Sequence, residues 1–80
     1  MTVSVLFFGV SSDLSGSSSA TMEIQEASTV SSFKSELNLA FPNMKNLSDF
    51  AVAINETYSS ENDSINDGDV IAILPPVSGG

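Results

Sequence analysis

The C-terminal end of the sequence is the segment best suited to chemistry, and it reads Leu74-Pro75-Pro76-Val77-Ser78-Gly79-Gly80. Because proline lacks a backbone donor and favours an extended conformation, Pro75 and Pro76 should end the preceding strand and direct a tail away from the domain. Six extended residues reach roughly 20 Å, enough to enter another protein's active site. The alternative is a frayed chain end, which would need neither the prolines nor the final glycines. We therefore predict a flexible, functional tail at 75–80.

The reactive group of this tail would be the carboxyl group of Gly80. A carboxylate is ionised at neutral pH and is a poor electrophile, so it must be activated before it can react. Acyl-adenylate formation by a separate ATP-using enzyme is the obvious route, which would make the chain a carrier that reacts only at its tip. The part that would enter a partner's active site comprises Pro75, Pro76, Val77, Ser78 and Gly79, since glycine can pass through a narrow channel.

Side chains that could form an independent active site are scarce. The chain has no histidine and no cysteine, so the usual general base, the strongest nucleophile and thiolate metal ligands are missing. There is no Gly-x-Ser-x-Gly motif and no glycine-rich phosphate loop. Asp67 and Asp69 are more typical of a turn than of an acid–base pair, and the acidic stretch around them does not match a calcium loop. We expect a chain that is not an enzyme by itself and has no metal site and no permanently bound cofactor.

The charge balance is strongly acidic. Lys34 and Lys45 stand against ten carboxylates, for a net charge of −8. Such a surface repels a phosphate backbone, which argues against a nucleic-acid partner. The acidity serves either solubility or the attraction of a partner with a basic docking face. The apolar N-terminus has no basic segment before it and is too short to span a membrane, so we expect a cytoplasmic protein without membrane contact.

The elements that position the tail follow from the hydrophobic pattern. Strands are predicted over 3–9, 20–24, 50–54 and 70–74, with a short edge strand at Tyr58. The first and last of these are almost continuously apolar, which predicts that both are covered on both faces and lie side by side in the middle of the sheet.

A helix is predicted over 30–41, with Ser28 or Thr29 as its N-cap and Pro42 as its stop. Residues 13–19 should form a loop, 44–49 are ambiguous with a short helical turn as one interpretation, and turns are expected at 55–56 and 66–69. This order predicts an α+β domain over 1–74, in which one main helix covers a mixed sheet.

Three segments of the chain resemble the small, sulfur-carrying subunit of molybdopterin synthase, the MoaD family. Residues 67–80, with Pro-Pro-Val-Ser-Gly-Gly after an apolar strand, carry the most specific part of this resemblance. The other two segments are Val5-Leu6-Phe7-Phe8 and Ala53-Ile54-Asn55-Glu56-Thr57-Tyr58. The resemblance covers essentially the whole chain, although many family members carry a basic residue where this chain has Ser11-Ser12-Asp13.

The resemblance implies a ubiquitin-like β-grasp fold and a specific sulfur chemistry. In that family an activating enzyme uses ATP and magnesium to adenylate the terminal carboxyl, here that of Gly80, which then becomes a thiocarboxylate. The tail enters a pocket of the large catalytic subunit, where the thiocarboxylate gives its sulfur to cyclic pyranopterin monophosphate to build the dithiolene of molybdopterin. Two small and two large subunits usually form a heterotetramer.

Four apolar residues near the tail have two interpretations, as core or as a surface that docks the large subunit. For Phe7 and Ile73 the core interpretation is favoured, with docking left open for Phe7. Leu74 and Tyr58 are favoured as docking residues, because they lie at the end of one predicted element and on the edge of another.

Other functions on the same fold remain open at this stage. The chain could be the sulfur carrier of another pathway, such as thiamine synthesis or tRNA thiolation, although those carriers typically lack the Pro-Pro before the final motif. It could also be a ubiquitin-like modifier joined through Gly80 to lysines, or an acidic interaction domain with a passive tail.

Overall fold

The computed structural model of the chain describes residues 1–46 and 50–75, with the side chains of 45 and 46 excepted. The predicted tail residues 76–80 therefore lie outside the described residues. The described residues form five strands: β1 Thr2–Phe7, β2 Ser19–Glu23, β3 Ala51–Ile54, β4 Thr57–Tyr58 and β5 Val70–Leu74. Two α-helices, α1 Val10–Ser15 and α2 Val30–Ala40, are accompanied by a 3-10 helix, Pro42–Asn46.

The strands form one mixed sheet in the order β2-β1-β5-β3-β4. β1 and β5 are parallel neighbours, with Val5 opposite Ile71 and Phe7 opposite Ile73. β2 pairs with β1, and β3 with both β5 and β4, in antiparallel fashion. The prediction that the first and last strands lie together in the middle of a mixed sheet is thus confirmed, as is the short edge strand at Tyr58.

Among residues 1–46 and 50–75, helices cover only one face of this sheet. Along β1, Val3, Val5 and Phe7 are buried, whereas Ser4 is exposed and Leu6 is half-buried. β5 alternates in the same way. The prediction that both strands are covered on both faces was wrong, because α2 and the 3-10 helix provide a single layer. The core that this layer encloses includes Val3, Val5, Phe7, Met22, Ile24, Val30, Phe33, Leu37, Met44, Val52, Ile65, Ile71 and Ile73.

Helix α2 begins at the predicted cap. The Thr29 side chain accepts from Ser32 N, and the Ser32 hydroxyl accepts from Thr29 N, so a capping box closes the first turn. The next free donors, Val30 N and Ser31 N, bond to the carbonyls of Asp63 and Glu61. The loop after β4 is therefore fixed to the start of α2. Each amide from Thr29 to Ser32 has a hydrogen-bond acceptor, although the helix backbone itself supplies none for the amides of its first turn.

The serine-rich segment between β1 and β2 contains a helix that was not predicted. Residues 13–19 were expected to be a loop, but α1 extends to Ser15 before Gly16 ends it at φ 78°. Hydroxyl groups of Ser11 and Ser12 donate to the carbonyls of Phe8 and Gly9. These carbonyls belong to the residue before the N-cap and to the N-cap itself, so the hydroxyl bonds tie the first turn of α1 to the end of β1. Within the described residues no helix is long and apolar enough to cross a membrane.

Candidate functional site

The base of the predicted tail is the end of β5, the strand at the centre of the sheet. Leu74 pairs with Ala51 of β3, and on the other side Phe8 N donates to the carbonyl of Ile73 over 3.4 Å. Leu74 and Pro75 are both half-buried. A strand bonded on both sides is the most rigidly held kind in a sheet, so whatever follows Pro75 leaves from a fixed point.

The connection from β1 to α1 packs beside Pro75. Gly9 has φ 56° and ψ −136°, a region open essentially to glycine alone. A Cβ atom at Gly9 would lie 3.6 Å from Pro75 Cγ, an ordinary contact distance. The backbone turn, rather than a lack of space, therefore requires glycine at position 9. The same turn brings the β1–α1 connection alongside the first residue of the predicted tail.

Ser11 stabilises the same turn from inside. Its side chain is fully buried, and its hydroxyl donates to the carbonyl of Phe8. Ser11 belongs to the segment Ser11-Ser12-Asp13, where many members of the resembled family carry a basic residue. A buried hydroxyl that closes the turn leaves no room for an ion pair to a partner at Ser11.

The uncovered face of the sheet, hereafter the open face, runs up to this tail base. The strand register places one row of side chains across it, from Leu6 through Ala72 and Ala53 to Tyr58. Leu74 lies on the same face, two residues along β5 from Ala72, and Val70 lies two residues the other way. Tyr58 is 74% exposed and Phe8, at the end of β1, is 47% exposed. An accessible apolar surface next to the base of the predicted tail is suited to bind another protein.

The predicted docking residues divide between this face and the core. Leu74 and Tyr58 lie on the open face, although their docking role stays a prediction. Phe7 is 3% exposed and packs edge-on against Phe41, with ring centroids 5.1 Å apart. The docking interpretation of Phe7 is corrected accordingly, because its side chain points into the covered face, as that of Ile73 does.

Sequence reasoning missed Leu6, Phe8 and Val70 as open-face residues. The signal for them was present: in an alternating strand, residues between buried positions point to the opposite face. They were overlooked because the continuous apolar runs were interpreted as strands covered on both sides. The predicted site residues Pro76, Val77, Ser78, Gly79 and Gly80 lie outside the described residues, so their roles stay predictions.

The end of the open face away from the tail is closed by the turn between β3 and β4. Asn55 and Glu56 have φ 50° and 72°, respectively, as in a two-residue type I′ hairpin turn. Asn55 Nδ2 donates to Asp69 Oδ1 and Asn55 Oδ1 accepts from Val70 N, each over 3.0 Å. Among the described residues there is no group of three or more carboxylates placed to hold a metal ion.

The fold and the tail base together define a ubiquitin-like β-grasp protein whose central strand leads into the C-terminal segment. The structure superposes on that of SAMP1 from Haloferax volcanii with a TM-score of 0.88 over all of both chains, at 21% identity, which shows the fold.

Sequence comparison places the chain within this class. Residues 5–80 match the ThiS family, and the chain belongs to that family. It is 33% identical over 79 residues to the molybdopterin synthase sulfur carrier subunit of Arabidopsis thaliana, covering 98% of this chain and 82% of the relative. It also resembles, at 29% identity and a TM-score of 0.71 over all of both chains, a chain in a complex of subunits 1 and 2 of the molybdopterin-converting factor from Helicobacter pylori.

Proposed function

We propose that this chain is the sulfur-carrier subunit of a molybdopterin synthase, and that its reacting group is a thiocarboxylate at the C-terminus of Gly80. The observation that carries the proposal is the position of Leu74 and Pro75. The strand leading into the tail is bonded to β1 on one side and β3 on the other, so the tail starts at the most rigid part of the sheet. Membership of the ThiS family and the name of the plant relative support the same function.

The proposed chemistry needs no catalytic side chain from this chain. A separate activating enzyme joins the Gly80 carboxylate to the α-phosphate of ATP, with magnesium, and releases pyrophosphate. Hydrosulfide-level sulfur then attacks the acyl carbon and displaces AMP, which leaves the thiocarboxylate without any change of oxidation state. At a carbon of cyclic pyranopterin monophosphate this sulfur displaces an oxygen substituent, which leaves as the C–S bond forms. Hydrolysis of the resulting thioester then breaks the acyl–sulfur bond and returns the Gly80 carboxylate, and a second carrier supplies the second sulfur of the dithiolene. The lack of histidine and cysteine in the sequence agrees with a carrier role.

Catalytic side chains would come from the large subunit, which we propose docks on the open face. Leu74 and Tyr58 would take part in this contact, together with Leu6 and Phe8. The face is apolar and leads directly to Pro75, so a partner seated on it would have its active site within reach of the tail. The complex of two subunits from Helicobacter pylori supports such a partner, and two small and two large subunits are the proposed stoichiometry.

A reconstitution tests this function. The thiocarboxylated chain is mixed with its cognate large subunit and the pyranopterin precursor, and the dithiolene product is assayed. A chain lacking Gly80 is the control, since it keeps every described residue. Product that depends on Gly80 supports both the sulfur-donor role and the pathway. If a confirmed thiocarboxylate gives no product with a large subunit that works with another carrier, the function is a different sulfur transfer or protein modification.

A further inference from the structure

A groove on the open face, at the end away from the tail, combines an apolar floor with one carboxylate. Its lining residues are Leu6, Val70, Asn55 and Glu56, and its volume is about 350 Å³. Leu6 and Val70 lie diagonally on adjacent strands, because Leu6 is opposite Ala72 and Val70 is opposite Ser4. Glu56 lies at the rim, on the β3–β4 turn. The groove is thus shaped for a side chain that is apolar along its length and charged at its end.

Glu56 occupies a backbone conformation that is costly for it. At φ 72° it lies in the left-handed region, where the second central residue of a type I′ turn is most often glycine. A side chain with a Cβ atom is strained there. Asn55 tolerates the same region well, and its side chain is bonded to Asp69 and Val70. The turn is therefore held firmly, with Glu56 in its less favourable position.

No contact with the residues that the structure describes compensates for this cost. Glu56 is exposed, and its carboxylate has no hydrogen bond or ion pair to any other residue that the structure describes. In contrast, the Glu61 carboxylate pairs with Lys34 Nζ at 2.7 Å. A strained, exposed and unpaired residue at the edge of an apolar groove indicates a role outside the folded chain.

We propose that Glu56 pairs with a lysine or arginine of the protein that docks on the open face, and that the aliphatic stem of this side chain lies over Leu6 and Val70. This inference rests on the proposed function and names the chemistry by which the large subunit is recognised. Lysine and arginine combine an apolar stem with a charged end, which suits both parts of the groove. The net charge of −8 favours a basic partner face as well.

The distance between the groove and the tail base gives the Glu56 ion pair a second role, in orienting the partner. From Val70 to Leu74 the strand rises by four residues, or about 13 Å. A partner that holds the tail beyond Leu74 and pairs with Glu56 is fixed at two separated points. The pair would then set the orientation in which the tail enters the partner, in addition to contributing affinity.

The test measures binding of the cognate large subunit by calorimetry at low and high salt. Glu56→Gln removes the charge with little change of shape, and Glu56→Lys reverses it. Glu26→Gln is the matched control, because Glu26 is exposed in the loop before α2 and lies beside that helix rather than on the open face. We expect Glu56→Gln to weaken binding about threefold to tenfold at low salt and less at high salt, Glu56→Lys to weaken it further, and Glu26→Gln to leave it within twofold.

Binding of Glu56→Gln and Glu56→Lys with wild-type affinity would overturn the inference while the proposed function stands. Tighter binding of Glu56→Gln would indicate an apolar occupant and overturn it as well. If the wild-type chain does not bind the large subunit at all, the proposed function fails together with the inference. Glu56→Gly separates strain from recognition: we expect it to raise the thermal midpoint while it weakens binding, and a lower midpoint would contradict the strain.

Discussion

Asn55 fastens the turn between β3 and β4 to the start of β5 through the buried carboxylate of Asp69. Asn55 donates to Asp69 Oδ1 over 3.0 Å, and Asp69 Oδ2 accepts from Asn66 N over 2.8 Å. Both carboxylate oxygens are therefore bonded, and the turn that carries Glu56 is joined to the strand that leads to the tail. The two ends of the open face belong to one rigid unit.

Replacement of Asn55 should loosen this unit. Asn55→Ala removes two hydrogen bonds and leaves Oδ1 of the buried Asp69 and the amide of Val70 without these partners. We expect this to lower the free energy of unfolding by about 2 kcal/mol. Urea denaturation followed by circular dichroism measures this change. Asn62→Ala, at an exposed asparagine in the loop after β4, should change the value by less than about 0.5 kcal/mol. Equal effects of the two substitutions would refute the structural role of Asn55.

Any side chain at Gly9 should lower the stability of the fold, because its backbone angles are unfavourable for residues other than glycine. Gly9→Ala forces φ 56° and ψ −136° on an alanine, at a cost of about 1–3 kcal/mol. Gly16→Ala is the matched comparison: Gly16 lies at φ 78° and ψ 15°, with open space around it, and should cost about 1 kcal/mol. Thermal unfolding of both variants compares the two costs. A Gly9→Ala chain as stable as the Gly16→Ala chain would show that the turn beside Pro75 can relax.

Truncation of Phe7 should lower stability, whereas truncation of Tyr58 should weaken binding of the large subunit. Phe7→Ala empties a core position and should lower the free energy of unfolding by about 3–5 kcal/mol. Tyr58→Ala, at a residue 74% exposed, should change stability by less than about 0.5 kcal/mol but weaken binding of the large subunit roughly tenfold. Denaturation and calorimetry on the same samples separate the two effects. Unchanged binding by Tyr58→Ala would exclude this residue from the docking surface.

Much of the fold could be predicted from the sequence because local signals agreed with each other. The apolar stripe of α2, its Thr29 cap and the stop at Pro42 each predict the same helix, and the turn residues around Gly68 mark the start of β5. The pairing of the first and last strands followed from their shared apolar character. Where several local preferences specify one structure, tertiary packing has little to override.

Other features depend on packing that a single sequence does not display. α1 was missed because Ser11 and Ser12 are poor helix formers, and a sequence does not display their hydroxyl bonds to the carbonyls of Phe8 and Gly9. The coverage of β1 and β5 was misjudged because an apolar residue such as Leu6 fits a buried face and a docking face equally well. The strain at Glu56 depends on its φ angle, and glutamate is not a residue that signals a left-handed turn. The site at the tail stays a prediction, because residues 76–80 lie outside the described residues, and the exposed apolar face beside Pro75 was only partly predicted, through Leu74 and Tyr58.

The central claim is that sulfur leaves this chain from Gly80, and an isotope label tests it most directly. The Gly80 thiocarboxylate is prepared with radioactive sulfur and incubated with the large subunit and the precursor, and both product and carrier are analysed. We predict that the label appears in the dithiolene while the carrier returns to a plain carboxylate, with one sulfur lost from carrier for each sulfur gained by product. Unlabelled product, or label that stays on the carrier while product forms, would contradict the account.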